Sequence, residues 1–393
     1  MRQREDHGGA LDRLLGSIPP PTFFADHWEQ SPLLAGGSEP RRYQSLLSLQ
    51  AVDAFVSSAD LRHDMLRLVA GGDAVDPARY VGPDGRILPT AVAEAYLRGA
   101  TIILPQLQLS LPDVAAFCQK LETDFSAAVQ ANAYLTPAAA QGFAPHYDQH
   151  DVFILQIAGA KRWSLYGIPD AARAGAPFVR GDHEARPRSA EHVLTAGDCL
   201  YIPRGLVHEA ANEGGEPSLH LTLGIHPKRW GDLVIDAVAA LVRDDRAFQG
   251  ALPPGFLHVP ENRAAAERKA ASLFGKIAGE IRLDEALDRA ARDILHERRP
   301  NIAGVLDAPR PNGRMRRRPH LLWLLTQEAG DLILTGPGGD LRFSRHDEAA
   351  LGKALSGEVF DPPLLPSPDP LRLTERLWVN GFLERASSGD EDG

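Results

Sequence analysis

A histidine and an aspartate one residue apart are the first side chains that suggest chemistry. His146 and Asp148 lie in the run Pro145-His-Tyr-Asp-Gln-His-Asp-Val-Phe-Ile-Leu-Gln156. In an extended strand, side chains at i and i+2 project from one face, so an imidazole and a carboxylate would point together. Such a pair supplies two of the three ligands of a facial metal site, which leaves other metal positions open. Alone, an HxD pair more often marks the polar face of a strand.

A third ligand is predicted in a second segment, Gly197-Asp-Cys-Leu-Tyr-Ile-Pro-Arg-Gly-Leu-Val-His208. A Gly-Asp turn begins a strand that ends in Pro-Arg-Gly, and His208 lies just beyond that strand. The two segments together predict a metal site formed by His146, Asp148 and His208. His150 would share the face of His146, so it is either a rival ligand or a residue behind the ligands, and we favour the second interpretation. His220 and His226 lie on or near the last β run. His220 either approaches the metal or a co-substrate, or it is an ordinary buried histidine of the barrel.

The region around these segments is rich in short β runs. Strands are predicted at Thr101–Leu104, Ala131–Leu135, Val152–Ile157, Arg162–Tyr166, His192–Thr195, Cys199–Ile202 and Leu219–Gly224. Turn-forming residues separate them, which is typical of a sandwich or barrel. Because no long helices that could make parallel crossovers lie between them, we expect an antiparallel sheet.

The remaining chain predicts an α+β organisation of several parts. The predicted parts are a mixed region packing on the barrel (1–95), the barrel (96–228), a helical region (229–300), a linker (301–319), a winged-helix-like domain (320–386) and a disordered acidic tail (387–393). In the helical region, apolar residues recur with helical period: Trp230, Leu233, Val234, Ala237, Val238 and Leu241. This stripe packs either on the barrel of the same chain or on a second copy, and the period alone does not decide between them.

The C-terminal part alternates helices and strands. We predict helices at His320–Thr326, Asp347–Leu355 and Leu371–Leu383, and strands at Leu332–Leu334 and Leu341–Phe343. Before them lies a basic cluster, Arg310, Arg314, Arg316, Arg317 and Arg318, in the predicted linker. The preferred interpretation is a solvated linker, and docking onto RNA or the ribosome is the alternative.

Composition excludes several classes of protein. The 393 residues carry a formal net charge of −10, which argues against a protein that coats nucleic acid. Two cysteines, Cys118 and Cys199, in no metal-binding pattern, fit a reducing compartment. We find no signal peptide and no apolar run long enough to span a membrane, so we expect a cytoplasmic protein.

At this point the residues resemble a known family. The runs HYDQHDVFILQIAGAKRW and GDCLYIPRGLVH resemble JmjC-type cupin-fold oxygenases, specifically the ribosomal oxygenase subgroup, and Phe23–Leu34 is similar to the subgroup's N-terminal motif. The resemblance implies a double-stranded β-helix (cupin, or jelly-roll) core, a helical dimerisation region and a C-terminal winged-helix-like domain. It implies Fe(II), 2-oxoglutarate and O₂ as cofactor and co-substrates.

Carried over by position, the resemblance implies the following roles. His146, Asp148 and His208 would be the catalytic iron ligands, and Lys161 would bind the distal carboxylate of 2-oxoglutarate, with Arg162 the next candidate cation. The remaining pocket positions are Asn132, Tyr134, His220 and, more weakly, Thr222. Two departures, Pro105-Gln106 in place of a strand-end asparagine and an insertion at Asp170–Arg188, bear on the substrate.

The resemblance therefore implies a dioxygenase that hydroxylates an arginine or histidine side chain, on a ribosomal protein, and that forms a homodimer. The same metal site would also serve demethylation of N-methyl-lysine, or hydroxylation of a peptide or small metabolite, and these alternatives stay open. A metal-binding cupin that senses or isomerises would have no use for Lys161. A regulator with an inactive barrel would not need a complete ligand set.

Overall fold

The computed structural model describes residues 9–36, 39–138, 140, 144–173, 178, 187–307, 311 and 313–386, with backbone alone at 171 and 173. The chain divides into two compact units, Met1–Pro227 and Lys228–Gly393. The predicted tail 387–393, Arg310 and most of the predicted insertion lie outside the described residues. Among the described helices, none combines the length and the apolar character that crossing a membrane requires.

The helices of the first unit, within the described ranges, are α1 (Ala10–Leu15), α2 (Pro20–Asp26), α3 (Leu49–Ser58), α4 (Pro89–Leu97), α5 (Pro112–Phe125) and α6 (Asp170–Arg173). Proline is the first residue of α2, α4 and α5, a position where its missing N–H costs nothing. At the start of α3, the Ser48 hydroxyl accepts a hydrogen bond from the Ala51 N–H at 3.1 Å. These local signals fix where the helices begin.

The strands of the first unit are β1 (Leu33–Ala35), β2 (Arg67–Ala70), β3 (Asp73–Ala74), β4 (Thr101–Leu104), β5 (Ala128–Thr136), β6 (Asp151–Ala158), β7 (Ala160–Leu165), β8 (Ala190–Thr195), β9 (Cys199–Ile202), β10 (His208–Glu213) and β11 (Ser218–His226). They form an eight-stranded sheet in the order β1-β9-β6-β11-β5-β4-β2-β3 and a three-stranded sheet in the order β10-β7-β8. Every strand pair is antiparallel, as predicted.

The large sheet is covered on both faces, which explains the nearly continuous apolar sequence of β6. One face packs on the small sheet through Ile154, Trp163, Leu194 and their neighbours. The other face packs on the helices and N-terminal segments, where Phe153 and Leu14 belong to the same core. The N-terminal strands β1, β2 and β3 join the large sheet instead of forming a separate layer.

In the second unit, the described elements are α7 (Trp230–Asp244), α8 (Pro260–Glu280), α9 (Leu283–Glu297), β12 (Met315–Arg317), β13 (Leu324–Glu328), β14 (Asp331–Gly336), β15 (Gly339–Phe343), α10 (Glu348–Ala354), α11 (Pro370–Val379) and β16 (Leu383–Arg385). The predicted apolar stripe of α7 is divided. Leu233 and Ala237 pack on α9, whereas Trp230 and Val234 remain exposed.

The predicted helix at His320–Thr326 is wrong. Leu324–Glu328 is strand β13, paired with β14. The two residues of the turn between them, Ala329 and Gly330, both have positive φ, as the tight hairpin turn that fits the twist of paired strands requires. The predicted helix at Leu371–Leu383 ends at Val379, and strand β16 follows.

The prediction of a solvated linker is also wrong for the basic residues of that segment. Met315–Arg317 is strand β12, paired with β16. Arg317 and Arg318 are buried, and the Arg317 Nε donates to the Leu355 carbonyl at 2.9 Å. Arg316 pairs with Glu384 at 2.9 Å. These guanidinium groups serve contacts within the second unit.

Candidate metal centre

The loop before β6 carries His146 and Asp148, and its backbone is tied directly to the start of β10. The His146 N–H donates to the His208 carbonyl at 3.0 Å, and the His208 N–H donates to the His146 carbonyl at 2.8 Å. The pleat of a strand is therefore not what aims these side chains, because β6 begins only at Asp151. This two-bond bridge sets the two histidines side by side.

Both imidazoles are held in a defined tautomer. The His146 Nδ1 lies 2.9 Å from the Ala144 carbonyl, and the His208 Nδ1 lies 2.9 Å from the Leu206 carbonyl. Since a carbonyl oxygen only accepts, each Nδ1 carries the proton and each Nε2 keeps its lone pair for a metal. Burial, with a smaller contribution from the His146 ring, holds the pKa of His208 below its ordinary value, so this ring is a neutral donor.

The carboxylate completes the donor set. The His208 Nε2 lies 3.7 Å from the Asp148 Oδ2, and donor atoms of His146, Asp148 and His208 all lie within 4.8 Å of one another. Two imidazole nitrogens and one carboxylate oxygen form the donor set of a facial triad for Fe(II). The residues present therefore fit such a metal.

A buried lysine lies deeper between the sheets. Lys161, on β7, is 2% exposed, and its Nζ donates to the Thr136 hydroxyl at 3.0 Å. Thr136 in turn shares a hydrogen bond of 3.2 Å with Thr101. No described carboxylate forms an ion pair with Lys161, and burial lowers the pKa of its ammonium group to about 7. An ammonium group without a counter-charge in this position favours a bound anion.

Arg162, the other candidate cation, is engaged on the opposite side of the strand. Its guanidinium pairs with Glu213 at 2.8 Å and with Glu191. These three side chains are each more than a quarter exposed. Arg162 therefore supports the small sheet from outside, and Lys161 supplies the interior charge.

An aromatic wall joins the lysine to the metal ligands. His220 stacks on Tyr134, with ring centroids 4.8 Å apart and an interplanar angle of 1°. Trp163 meets His220 edge-on at 5.4 Å and lies 5.9 Å from the His208 ring. The Nδ1 of His220 and the Nε1 of Trp163 are buried without a hydrogen-bond partner in the described structure. Two unsatisfied polar atoms beside Lys161 indicate a pocket for a polar ligand.

The other predicted pocket residues extend the same face of β5 and β11. Asn132 opposes Thr222 across the strand pair, as Tyr134 opposes His220. The Asn132 side-chain oxygen accepts from the Gln106 N–H and from Gln130, each at 3.0 Å. Gln106, where the resemblance led us to expect asparagine, has a φ of 53°.

His150 is not part of the donor group. Its ring stacks on His226, with centroids 4.4 Å apart, and it lies over Gly224, where a Cβ atom would be 2.6 Å from the ring. The glycine makes room for the imidazole. His150, just before β6, and His226, the last residue of β11, thus form a pair beside the metal ligands.

Sequence reasoning missed Thr136 and Thr101, and it gave no role to Trp163. A signal for Thr136 was present. Asn132, Tyr134 and Thr136 alternate along one strand face, so one further step of the same alternation finds it. Thr101 gave no signal, because its contact depends on the pairing of β4 with β5.

Comparison with known proteins agrees with this geometry. The family model described as "JmjC domain" matches residues 104–233, which include His146, Asp148, Lys161 and His208. Residues 104–233 of this chain form a JmjC domain. The resemblance predicted from the sequence is confirmed.

Curated proteins similar to this chain have names that state an enzymatic activity. Ribosomal oxygenase 1 of Gallus gallus is 32% identical over 306 residues, covering 74% of this chain and 51% of that protein. The bifunctional lysine-specific demethylase and histidyl-hydroxylase NO66 of Drosophila simulans is 33% identical over 311 residues, covering 72% and 36%. The chain spans about half the length of most curated relatives it matches.

Solved structures show the same fold. The Escherichia coli ribosomal oxygenase YcfD matches with a TM-score of 0.54 at 16% identity, over 94% of this chain and 99% of that one. A YcfD structure in complex with cobalt and 2-oxoglutarate matches with a TM-score of 0.52, over 94% and 98%. The cupin-like fold of the JmjC domain, with mixed helices and sheets, is thereby established.

Proposed function

We propose that this protein is an Fe(II)- and 2-oxoglutarate-dependent dioxygenase that hydroxylates an arginine or histidine side chain of a ribosomal protein. The observation that carries the proposal is the pairing of two features that the aromatic wall of Tyr134, His220 and Trp163 links. One is the donor group of His146, Asp148 and His208, within 4.8 Å. The other is Lys161, a buried cation without a described counter-charge. A metal-binding protein of another kind would have no need of the second feature.

The roles of the side chains follow from their surroundings. His146, Asp148 and His208 would hold Fe(II), which with 2-oxoglutarate supplies O₂ activation when bound. Lys161 would bind the distal carboxylate, so that a charged co-substrate offsets the cost of a buried ammonium group. The Thr136 hydroxyl, at 3.0 Å, holds the Nζ in place for that contact.

In this proposal the aromatic wall also keeps water out of the site. Tyr134, His220 and Trp163 exclude water from the space between Lys161 and the metal ligands, because their rings meet at 4.8–5.4 Å. Asn132 and Thr222 continue the wall along the same face of β5 and β11. The unsatisfied Nδ1 of His220 is suited to donate to, or accept from, the co-substrate.

The target class rests on the names of the relatives. Proteins similar to this chain are called ribosomal oxygenase or histidyl-hydroxylase. Demethylation of N-methyl-lysine is the second candidate, because the relatives named NO66 are also called lysine-specific demethylases. A cytoplasmic location belongs to the proposal and is supported by two buried, free cysteines, Cys118 and Cys199.

Mass spectrometry of ribosomal proteins tests the target. Cells with the wild-type gene should show one ribosomal peptide heavier by the mass of one oxygen atom, and a deletion strain should lack that addition. Wild type should restore it and His208→Ala should not. If ribosomal proteins have the same mass in all strains, the ribosomal target is wrong. Loss of methyl groups from a lysine peptide instead would favour the demethylase.

We also propose that the first unit is a double-stranded β-helix, which its two antiparallel sheets support.

We propose further that the chain forms a homodimer through its helical region. The support for a dimer is an exposed apolar surface on α7, formed by Trp230, Val234 and Ile235, which are 82%, 50% and 67% exposed. A second copy would cover it. Light scattering at micromolar concentration should give twice the chain mass, and Trp230→Glu should give a monomer. A wild-type monomer would contradict the dimer.

We also propose that residues 320–386 of the second unit form a winged-helix-like domain. Its support is the three-stranded sheet β13-β14-β15 beside α10 and α11. We do not assign nucleic-acid binding to it, because Arg316, Arg317 and Arg318 are engaged with groups of the same unit.

A further inference from the structure

The N-terminal segment that resembles the family motif, Phe23–Leu34, contacts the two metal-ligand loops through a ring of four residues. Glu29, Tyr201, Asp151 and Arg204 form this ring, which we call the Asp151 ring. None of the four ligates the metal in the proposed function. Glu29 belongs to the N-terminal segment, Asp151 begins β6, Tyr201 lies on β9, and Arg204 lies between β9 and His208.

The contacts of the ring close on themselves. The Glu29 N–H donates to the Tyr201 hydroxyl at 2.8 Å, and that hydroxyl donates to the Asp151 Oδ1 at 2.5 Å. The same Oδ1 accepts from the Arg204 N–H at 3.3 Å. The Arg204 guanidinium then donates to the Glu29 carboxylate at 3.1 Å.

The ring is fastened to both ligand loops. Asp151 is the first residue of β6, three positions after Asp148. Arg204 precedes Gly205, whose N–H donates to the Asp148 carbonyl at 2.9 Å. The chain then runs four residues from Arg204 to His208. A shift of the ring would therefore move Asp148 and His208 relative to each other.

The ring carries costs that folding alone does not explain. Asp151 is fully buried, and its Oδ2 has no hydrogen-bond partner among the described residues. Burial raises the pKa of Asp151 to about 6 against the opposing hydrogen bonds from Tyr201 and Arg204. Glu29 has a φ of 56°, a left-handed conformation that side chains other than glycine and asparagine rarely adopt. Such costs concentrate at sites that function requires.

We propose that the Asp151 ring is a positioning device that sets the distance between Asp148 and His208 for metal binding. Asp151 and Tyr201 are its positioning residues, and the N-terminal motif supplies its outer half through Glu29. The inference rests on the metal site of the proposed function. It adds to that function a reason why the N-terminal segment belongs to the catalytic unit.

Binding of Co(II) alone to the metal-free full-length chain tests the inference without co-substrate or turnover. Tyr201→Phe removes one hydroxyl and both of its ring contacts, and Asp151→Asn keeps the side-chain shape and removes the charge. Residues that orient metal ligands typically change metal affinity by about 10–100-fold. We expect the Co(II) Kd of both variants to rise by about tenfold or more, with a changed Co(II) absorption spectrum.

A matched control separates positioning from stability. Leu68→Ala removes a buried side chain of β2, which is four strands away from β6 in the large sheet. At a temperature where circular dichroism shows all variants folded, it should bind Co(II) like wild type. Should Asp151→Asn fail to fold, Tyr201→Phe decides. Wild-type Kd and spectrum in the folded ring variants, or equal weakening by Leu68→Ala, overturns the inference. If wild type itself binds no Co(II), the proposed function fails instead.

Discussion

Lys161 gives the proposed function a sharp pH dependence. Burial lowers its pKa from the ordinary 10.5 to about 7. Only the charged ammonium group attracts the distal carboxylate of 2-oxoglutarate. Above about pH 7, binding must therefore be coupled to uptake of one proton, and the observed Kd should rise with pH.

The magnitude follows from the fraction of Lys161 that is charged. With a pKa of about 7, this fraction falls from about one half at pH 7 to about one hundredth at pH 9. The Kd for 2-oxoglutarate should therefore rise about fifty-fold between these values. The neighbouring rings of His220 and Tyr134 do not titrate in this window. Burial holds the pKa of His220 well below its ordinary value and raises the pKa of Tyr134 above its own.

The contribution of Lys161 to protein stability should increase with pH, whereas the affinity for 2-oxoglutarate falls. Because the folded pKa of Lys161 is depressed, the unfolded chain binds more protons than the folded chain between about pH 7 and pH 10.5. The contribution of Lys161 to the free energy of unfolding therefore increases with pH in this window. Rising stability with falling affinity is a combination that general alkaline damage would not produce.

Calorimetric titration of the Mn(II)-loaded protein with 2-oxoglutarate, without oxygen, measures the effect. Lys161→Arg keeps its charge throughout, so its Kd should be flat with pH if it folds. Lys161→Met should bind weakly at every pH, by roughly 2–4 kcal/mol at pH 7. A wild-type Kd that stays constant from pH 7 to pH 9, with weak binding by Lys161→Met, would refute the reasoning about the pKa. Unchanged binding by Lys161→Met would refute the assigned role.

Three further predictions concern stability, each read from chemical denaturation. Gln106→Asn should stabilise the first unit by roughly 0.5–1 kcal/mol, because the exposed Gln106 has a φ of 53° and asparagine adopts such angles more readily. A loss of stability would count against backbone strain at this position. Gly224→Ala should destabilise it by roughly 1–3 kcal/mol, because the new methyl group would lie 2.6 Å from the His150 ring, and a neutral result would mean that the ring moves freely. Leu351→Ala, at a side chain with no exposure, should destabilise the second unit by about 2–5 kcal/mol and leave the Co(II) Kd unchanged. A raised Co(II) Kd would contradict the view that the two units have separate hydrophobic cores.

The strands around the site were predictable because their patterns are local. Cys199–Ile202 was predicted with the observed bounds, and the predicted strand Val152–Ile157 lies within the observed strand Asp151–Ala158. Strand β10 was missed because His208–Glu213 contains no valine, isoleucine, threonine, phenylalanine, tyrosine or tryptophan, and only pairing with β7 makes it a strand. Tertiary pairing overrode local preference there.

The candidate site was predictable in its residue types but not in its geometry. His146 and Asp148 were expected to share a strand face, whereas a backbone bridge to His208 positions them. That bridge joins residues 62 positions apart in the chain, which no local pattern reports. The basic residues before β13 were mispredicted for the same reason, because their contacts also depend on residues distant in the sequence. A run such as Arg316–Arg318 looks solvated until the partner strand, β16, is known.

The strand order has a consequence for how the chain is made. β11, the last strand of the first unit, lies between β5 and β6 and pairs with both along most of its length. Until residue 226 has been synthesised, the growing chain therefore holds two half-sheets with open inner edges. Pairings this distant in sequence form slowly, and unpaired edges aggregate. Nascent chains of this protein should need a chaperone until β11 inserts, and a product truncated before Ser218 should be insoluble.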